Sequence, residues 1–173
     1  SEFQKRKFIA QGIPAERIGI LPGISPVVAD APETIGDWIG FVGRVSIEKG
    51  IYEFIETARA FPAVPFKVAG NIDAAFTMPA ELPRNLEFVG FKKGEELNDF
   101  YRKCRIIVVP SKWYEGFPNV ILRAFMLNRP VITTKVGAMD SIVDEGKNGL
   151  KIAPGNVSEL IEAIESVYPN PDR

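Results

Sequence analysis

Apolar residues recur along this chain in two alternating patterns. Short runs of four or five at 38–42, 66–69, 86–89, 105–109 and 131–134, with a shorter one at 150–152, read as buried strands. Between them lie longer stretches with helical spacing. In 49–61, Ile51, Phe54, Ile55 and Ala58 share one face while Glu53 and Glu56 lie on the other, and 95–103, 117–128 and 157–168 predict further helices. Ser158 stands near the start of the last as a cap. Three of the strands run directly into glycine, at Gly43, Gly70 and Gly90. Strands alternating with helices of about ten residues predict an α/β fold built on a doubly wound parallel sheet. Ligands of such sheets bind at the carboxyl ends of the strands, so the informative positions follow Val42, Ala69, Val89, Val109 and Thr134.

The first part of the chain is less regular. Residues 3–11 read as a short basic helix, with Phe3, Phe8 and Ile9 apolar and Gly12 as its stop. Residues 18–21 read as a short strand running into Pro22 and Gly23, and 25–37, with prolines and small residues, as a linker or long loop. Residues 1–27 are thus a flanking segment and 28–173 the domain proper.

Composition narrows the function classes. The 173 residues are 46% hydrophobic and 25% charged, enough for one domain with a real core. The 21 basic and 22 acidic residues leave a net charge of −1, which argues against nucleic acid as the main partner, since a polyanion selects a clear positive excess. The chain has no histidine, which excludes Ser-His-Asp and Cys-His mechanisms within it. The single cysteine, Cys104, sits in an apolar run, where a buried strand residue is expected rather than a nucleophile or ligand. One cysteine builds no disulfide framework, so a reducing, cytoplasmic setting is expected. No run approaches the roughly 18 apolar residues needed to span a bilayer.

Two clusters carry candidate chemistry. Gly43 and Arg44 are followed by Lys49 and Gly50, all in the turn between a strand and its helix. Glycine lets the backbone approach a ligand, and two cations near a helix start favour an anion, most naturally a diphosphate. Each charge-assisted hydrogen bond contributes about 1.5–3 kcal/mol. The second cluster runs from Ser111 to Arg123. Glu115 lies in the loop after a buried strand, and Gly116, Phe117 and Pro118 lead into a helix whose free amides at Asn119 and Val120 face a phosphate. A carboxylate beside an anion site suits neutral hydroxyls, such as those of a sugar, with Arg44 and Lys49 supplying countercharge. Asn119 and Arg123 share one helical stripe, and Val120, Ile121, Ala124 and Phe125 form the apolar one.

Taken in order, Gly43-Arg44, Lys49-Gly50, Pro110-Ser111, Glu115-Gly116-Phe117-Pro118-Asn119, Arg129-Pro130-Val131-Ile132, Val136-Gly137 and Gly146-Lys147-Asn148-Gly149-Leu150 resemble the C-terminal domain of family 4 glycosyltransferases of GT-B fold. The likeness covers about 38–167, and 18–25 resembles the segment joining the two domains of such enzymes. It implies a Rossmann-like half of a GT-B enzyme, with the acceptor-binding N-terminal domain absent here. It further implies a retaining, metal-independent transfer of sugar from a nucleotide-sugar donor to an acceptor glycan or lipid-linked glycan. No cofactor is needed, and the leaving diphosphate acts as base toward the acceptor hydroxyl. By the same resemblance Arg44 and Lys49 hold the diphosphate, Glu115 binds hydroxyls of the donor sugar, the amides around Asn119 and Val120 take the distal phosphate, and Gly90 and Phe91 face the base.

The chain departs from that pattern at two places. Arg123 stands where the family usually carries a second glutamate, at the ribose, and a guanidinium cannot accept hydroxyl bonds. Ser141 stands where another glutamate is usual. Either the ribose is held differently, with Arg123 turned toward a phosphate or paired with Glu115, or the chain is a nucleotide-sugar-binding or assembly module without catalysis.

Overall fold

The computed structural model describes residues 1–21, 34, 36–116 and 118–168. Six strands form a single sheet: β1 (Trp38–Val42), β2 (Phe66–Ala69), β3 (Leu86–Gly90), β4 (Cys104–Val109), β5 (Val131–Thr134) and β6 (Gly149–Ile152). Their order is β3-β2-β1-β4-β5-β6, and every neighbouring pair is parallel. The order reverses between β1 and β4, so the connections leaving their carboxyl ends diverge and open a crevice there.

The helices are α1 (Glu2–Ala10), α2 (Ile51–Ala60), α3 (Gly94–Lys103), α4 (Asn119–Met126), α5 (Met139–Ile142) and α6 (Val157–Val167). α2 and α6 cover one face of the sheet, and α3, α4 and α5 the other. Strand alternation sorts the core between them. Ile106 and Val108 of β4 join Phe54 and Ile164 in one cluster, while Ile107 joins Tyr101, Ile121 and Met139 in the second. At Gly40 of β1 a Cβ would lie 2.5 Å from Cys104 Sγ, so only hydrogen fits where α3 closes over the sheet. Cys104 is fully buried, as expected, and burial pushes its thiol pKa up.

Differences from the sequence reading are local. Residues 18–21 form no strand: a 3-10 turn at Ala15–Arg17 precedes them, Gly19 interrupts them, and Leu21 is 85% exposed. Apart from Thr34, Gly36 and Asp37, the proposed linker lies outside the described residues. The helix proposed from Lys49 begins later, because Ile47–Lys49 is a 3-10 turn and Gly50 takes a left-handed φ of 77° before α2 starts. α5 was missed, since four residues display no periodicity. α1 ends as expected before Gly12, and Ser1 with Gln4 forms a capping box at its start.

Candidate functional site

β1 ends at Val42, and Gly43 follows with φ 144°, a conformation suited to glycine. The amide of Gly43 donates to Ala69 O, that of Val45 to Asn71 O and that of Asp73 to Val45 O, continuing the β1–β2 pairing past both strands. That continuation fixes Arg44. Its Nη1 donates to Asp73 Oδ2 at 2.8 Å and its Nη2 to Glu48 Oε1 at 2.5 Å. The Glu48 carboxyl lies below its usual range because its own backbone amide and the nearby Ser46 side chain favour the ionised form, with Arg44 adding to the effect.

The second wall comes from the other side of the crevice. β4 ends at Val109, and the Ser111 amide segment is stitched to the first wall: Lys112 N donates to Glu48 O at 2.8 Å, and Ser111 Oγ donates to the same carbonyl at 3.3 Å. Thr134 Oγ1, fully buried at the end of β5, donates to Ser111 O at 2.5 Å. Gly50 lies so close to Pro110 that a Cβ would stand 2.1 Å from Pro110 O. The loop 111–116 is thereby set in place before any ligand arrives.

These walls bring together most of the residues singled out from sequence. Gly43, Arg44, Lys49, Glu115, Pro118 and Asn119, with Val120, line one cavity of about 320 Å³ at the carboxyl ends of β1 and β4. α4 opens into it with no side-chain cap on its first turn, which leaves its amino-terminal amides available to an anion. Lys49 Nζ donates to Glu115 Oε1, with both side chains about a quarter exposed, and Ser111 Oγ is 3.4 Å from the same oxygen. Three carboxylates, Glu48, Asp73 and Glu115, thus face the two cations, and an incoming anion must compete for Arg44 and Lys49.

Two further cavities adjoin the first and share Arg44 with it. One, of about 280 Å³, is mostly apolar and lies between Asn71, Phe91 and Leu97. The other, of about 420 Å³, is walled by Glu48, Lys49, Trp113 and Glu115. Gly90 has φ 74° and its carbonyl accepts from the Gly70 amide, placing the exposed Phe91 at the rim.

Not every expected residue joins the site. Phe117 lies outside the described residues. Arg123 neither pairs with Glu115 nor lines the first cavity; its Nη1 donates to Asn98 Oδ1 of α3 at 2.9 Å. Ser141 bonds its own turn, Oγ to Ala138 O at 2.9 Å. Gly116 packs against Gln4 of α1, where a Cβ would meet the amide nitrogen at 2.5 Å. Sequence reasoning missed Glu48 and Asp73 as the partners of Arg44. Glu48 is four residues from Arg44, but the chain between them is extended and then a 3-10 turn, so no helical spacing signals the pair, and Asp73 lies 29 residues away in an irregular segment.

Comparison with known proteins places the chain in a family. The profile of the family described as glycosyl transferases group 1 matches residues 36–170. The chain belongs to that family. The capsular polysaccharide biosynthesis glycosyltransferase CapM of Staphylococcus aureus is 32% identical over 138 residues, 75% of this chain and 36% of that protein. Anabaena HepE, solved in complex with UDP-glucose, is 25% identical with a TM-score of 0.67, over 78% of this chain and 39% of that one. The C-terminal domain of LpcC, a glycosyl transferase group 1 family protein from Francisella tularensis, is 26% identical with a TM-score of 0.68, over 80% and 79% respectively. The sheet is thus the Rossmann-like half found in GT-B glycosyltransferases. The chain spans between 31% and 39% of the length of the curated relatives it first matches. Among the described residues no helix is long and apolar enough to cross a membrane.

Proposed function

We propose that this chain is the donor-binding part of a retaining glycosyltransferase, holding a nucleoside diphosphate sugar across the β1–β4 crevice. The observation that carries the reading is the run of three adjoining cavities with Arg44 in the wall of each. The apolar cavity at Phe91 suits a base, the central one with the α4 amides suits the diphosphate, and the one beside Glu115 suits the sugar. Relatives named for UDP-glucose binding and for capsular polysaccharide synthesis support the substrate class.

In this arrangement the bond between the anomeric carbon and the diphosphate breaks, the acceptor's hydroxyl oxygen bonds that carbon, and its proton passes to the leaving diphosphate, on which negative charge develops. Lys49, Arg44 and the α4 amides stabilise that charge where it forms. Lys49 leaves Glu115 to do so, which frees the carboxylate to accept hydroxyls of the sugar. The acceptor, a glycan or lipid-linked glycan, is presented by a second domain.

A second reading, nucleotide-sugar binding without transfer, is favoured by Arg123, whose guanidinium is committed to Asn98 where a carboxylate for the ribose is usual in the family. Calorimetric titration of the chain with UDP, ADP and GDP tests the shared element of both readings. Absence of heat for all three at millimolar concentration would sink them together. Transfer by the full-length protein that is lost in Lys49→Met then separates the first reading from the second.

A further inference from the structure

The cavity beside Glu115 has one wall that the diphosphate and hydroxyl contacts leave unused. Trp113 is 66% exposed. Its neighbour Tyr114 carries Phe3 stacked at 5.1 Å and Lys7 over the ring, but among the described residues no ring or cation lies against the indole of Trp113. A bare indole is ordinarily a mobile one, yet this backbone is pinned. The residue before it anchors the loop, since Lys112 N donates to Glu48 O at 2.8 Å, and Trp113 N itself lies 3.4 Å from Ser111 Oγ. Ser111 is itself fully buried, and its carbonyl accepts from Thr134 Oγ1 at 2.5 Å. The loop therefore holds an uncovered aromatic side chain at the edge of a cavity whose other walls are carboxylates and cations.

That combination matches one chemical class. A pyranose has hydroxyls around its rim and C–H bonds on its faces. Carboxylates accept from the rim, and an indole takes a C–H face while its burial removes apolar area from water. A nucleobase would also stack on indole, but the apolar cavity at Phe91 lies beyond Arg44 and is the one that offers a base its pocket. We propose that Trp113 is a specificity-determining residue, the platform on which the apolar face of the donor sugar lies while Glu115 and Glu48 accept hydroxyls at its rim. The proposal rests on the donor-binding reading above and assigns the sugar end of it to a residue outside the phosphate machinery.

The test measures affinities of the chain for UDP, UDP-glucose, UDP-galactose and UDP-N-acetylglucosamine, and for GDP and GDP-mannose. Wild type is expected to bind at least one sugar nucleotide more tightly than its own nucleotide. Trp113→Ala is expected to shrink that advantage about tenfold, the equivalent of about 1.4 kcal/mol, and to leave the Kd of the bare nucleotide within about twofold. Trp113→Phe keeps a ring and should keep most of the advantage. With two tryptophans in the chain, Trp38→Phe leaves Trp113 as the only indole, and its emission should respond to the sugar nucleotide and not to the bare nucleotide. The proposal is overturned if Trp113→Ala preserves the advantage, if it weakens the bare nucleotide equally, or if no sugar adds affinity in wild type. Absence of nucleotide binding by wild type overturns the donor reading itself, and this inference with it.

Discussion

The Lys49–Glu115 pair makes a prediction with opposite signs at its two ends. In the free protein the ammonium of Lys49 is bonded to the Glu115 carboxylate, and a diphosphate must take it over. Replacing Lys49 with Met removes a charge-assisted hydrogen bond to phosphate, about 1.5–3 kcal/mol, so UDP should bind at least about tenfold more weakly. Replacing Glu115 with Gln removes the competitor. A phosphate oxygen on the far side of the ammonium lies about 5–6 Å from the carboxylate, where like charges repel by about 0.8 kcal/mol in water and about 3 kcal/mol at an effective dielectric of 20. With the two side chains 29% and 21% exposed the lower part of that range applies. UDP should therefore bind Glu115→Gln about fivefold more tightly, a gain of about 1 kcal/mol. A sugar nucleotide, which needs the carboxylate for its hydroxyls, should lose affinity in the same variant. Calorimetry at low ionic strength reads all three changes against wild type, with melting curves to confirm that the variants are folded. If Glu115→Gln weakens UDP as much as Lys49→Met does, the carboxylate is not a competitor, and the exchange of partners is wrong.

Three further outcomes test the fold around the site. Gly70→Ala places a Cβ 1.7 Å from Gly43 O, a backbone atom of the phosphate turn, and is expected to cost about 1–3 kcal/mol, read from urea unfolding, while weakening UDP. A midpoint equal to wild type would show that the turn is looser than described. Phe54→Ala, which empties a fully buried site beside Phe41 and Phe66, should destabilise by about 3–5 kcal/mol in the same assay. Burial raises the Cys104 thiol above its ordinary 9.0 and the Tyr101 hydroxyl above its ordinary 10.0. With folded values above unfolded ones, the unfolded chain releases these protons first, so stability is complete below about pH 9 and falls as pH rises beyond it. Melting curves from pH 7 to 10.5 should show that fall, smaller in Cys104→Ala, and a flat midpoint would refute it.

Much of this molecule is local, and so can be read along the chain. β1, β2 and β5 sit at the residues their apolar runs define, because a strand buried on both faces needs a continuous apolar segment and little else. The helices α2, α3, α4 and α6 follow from spacing, and their starts move only where a glycine or a tight turn intervenes, as at Gly50. Gly43, Arg44, Lys49, Glu115 and Asn119 could be chosen because their strand-end positions fix them near one edge of the sheet. Which partners they take could not. Asp73 reaches Arg44 only because the β1–β2 pairing continues past both strands, and Arg123 turns to Asn98 only because α3 packs beside α4 on the same face. Sequence decides which residues are buried and which stand at strand ends, since both depend on neighbours in the chain. The pairing of each charge depends on distances between segments far apart in sequence, and only the folded sheet sets those.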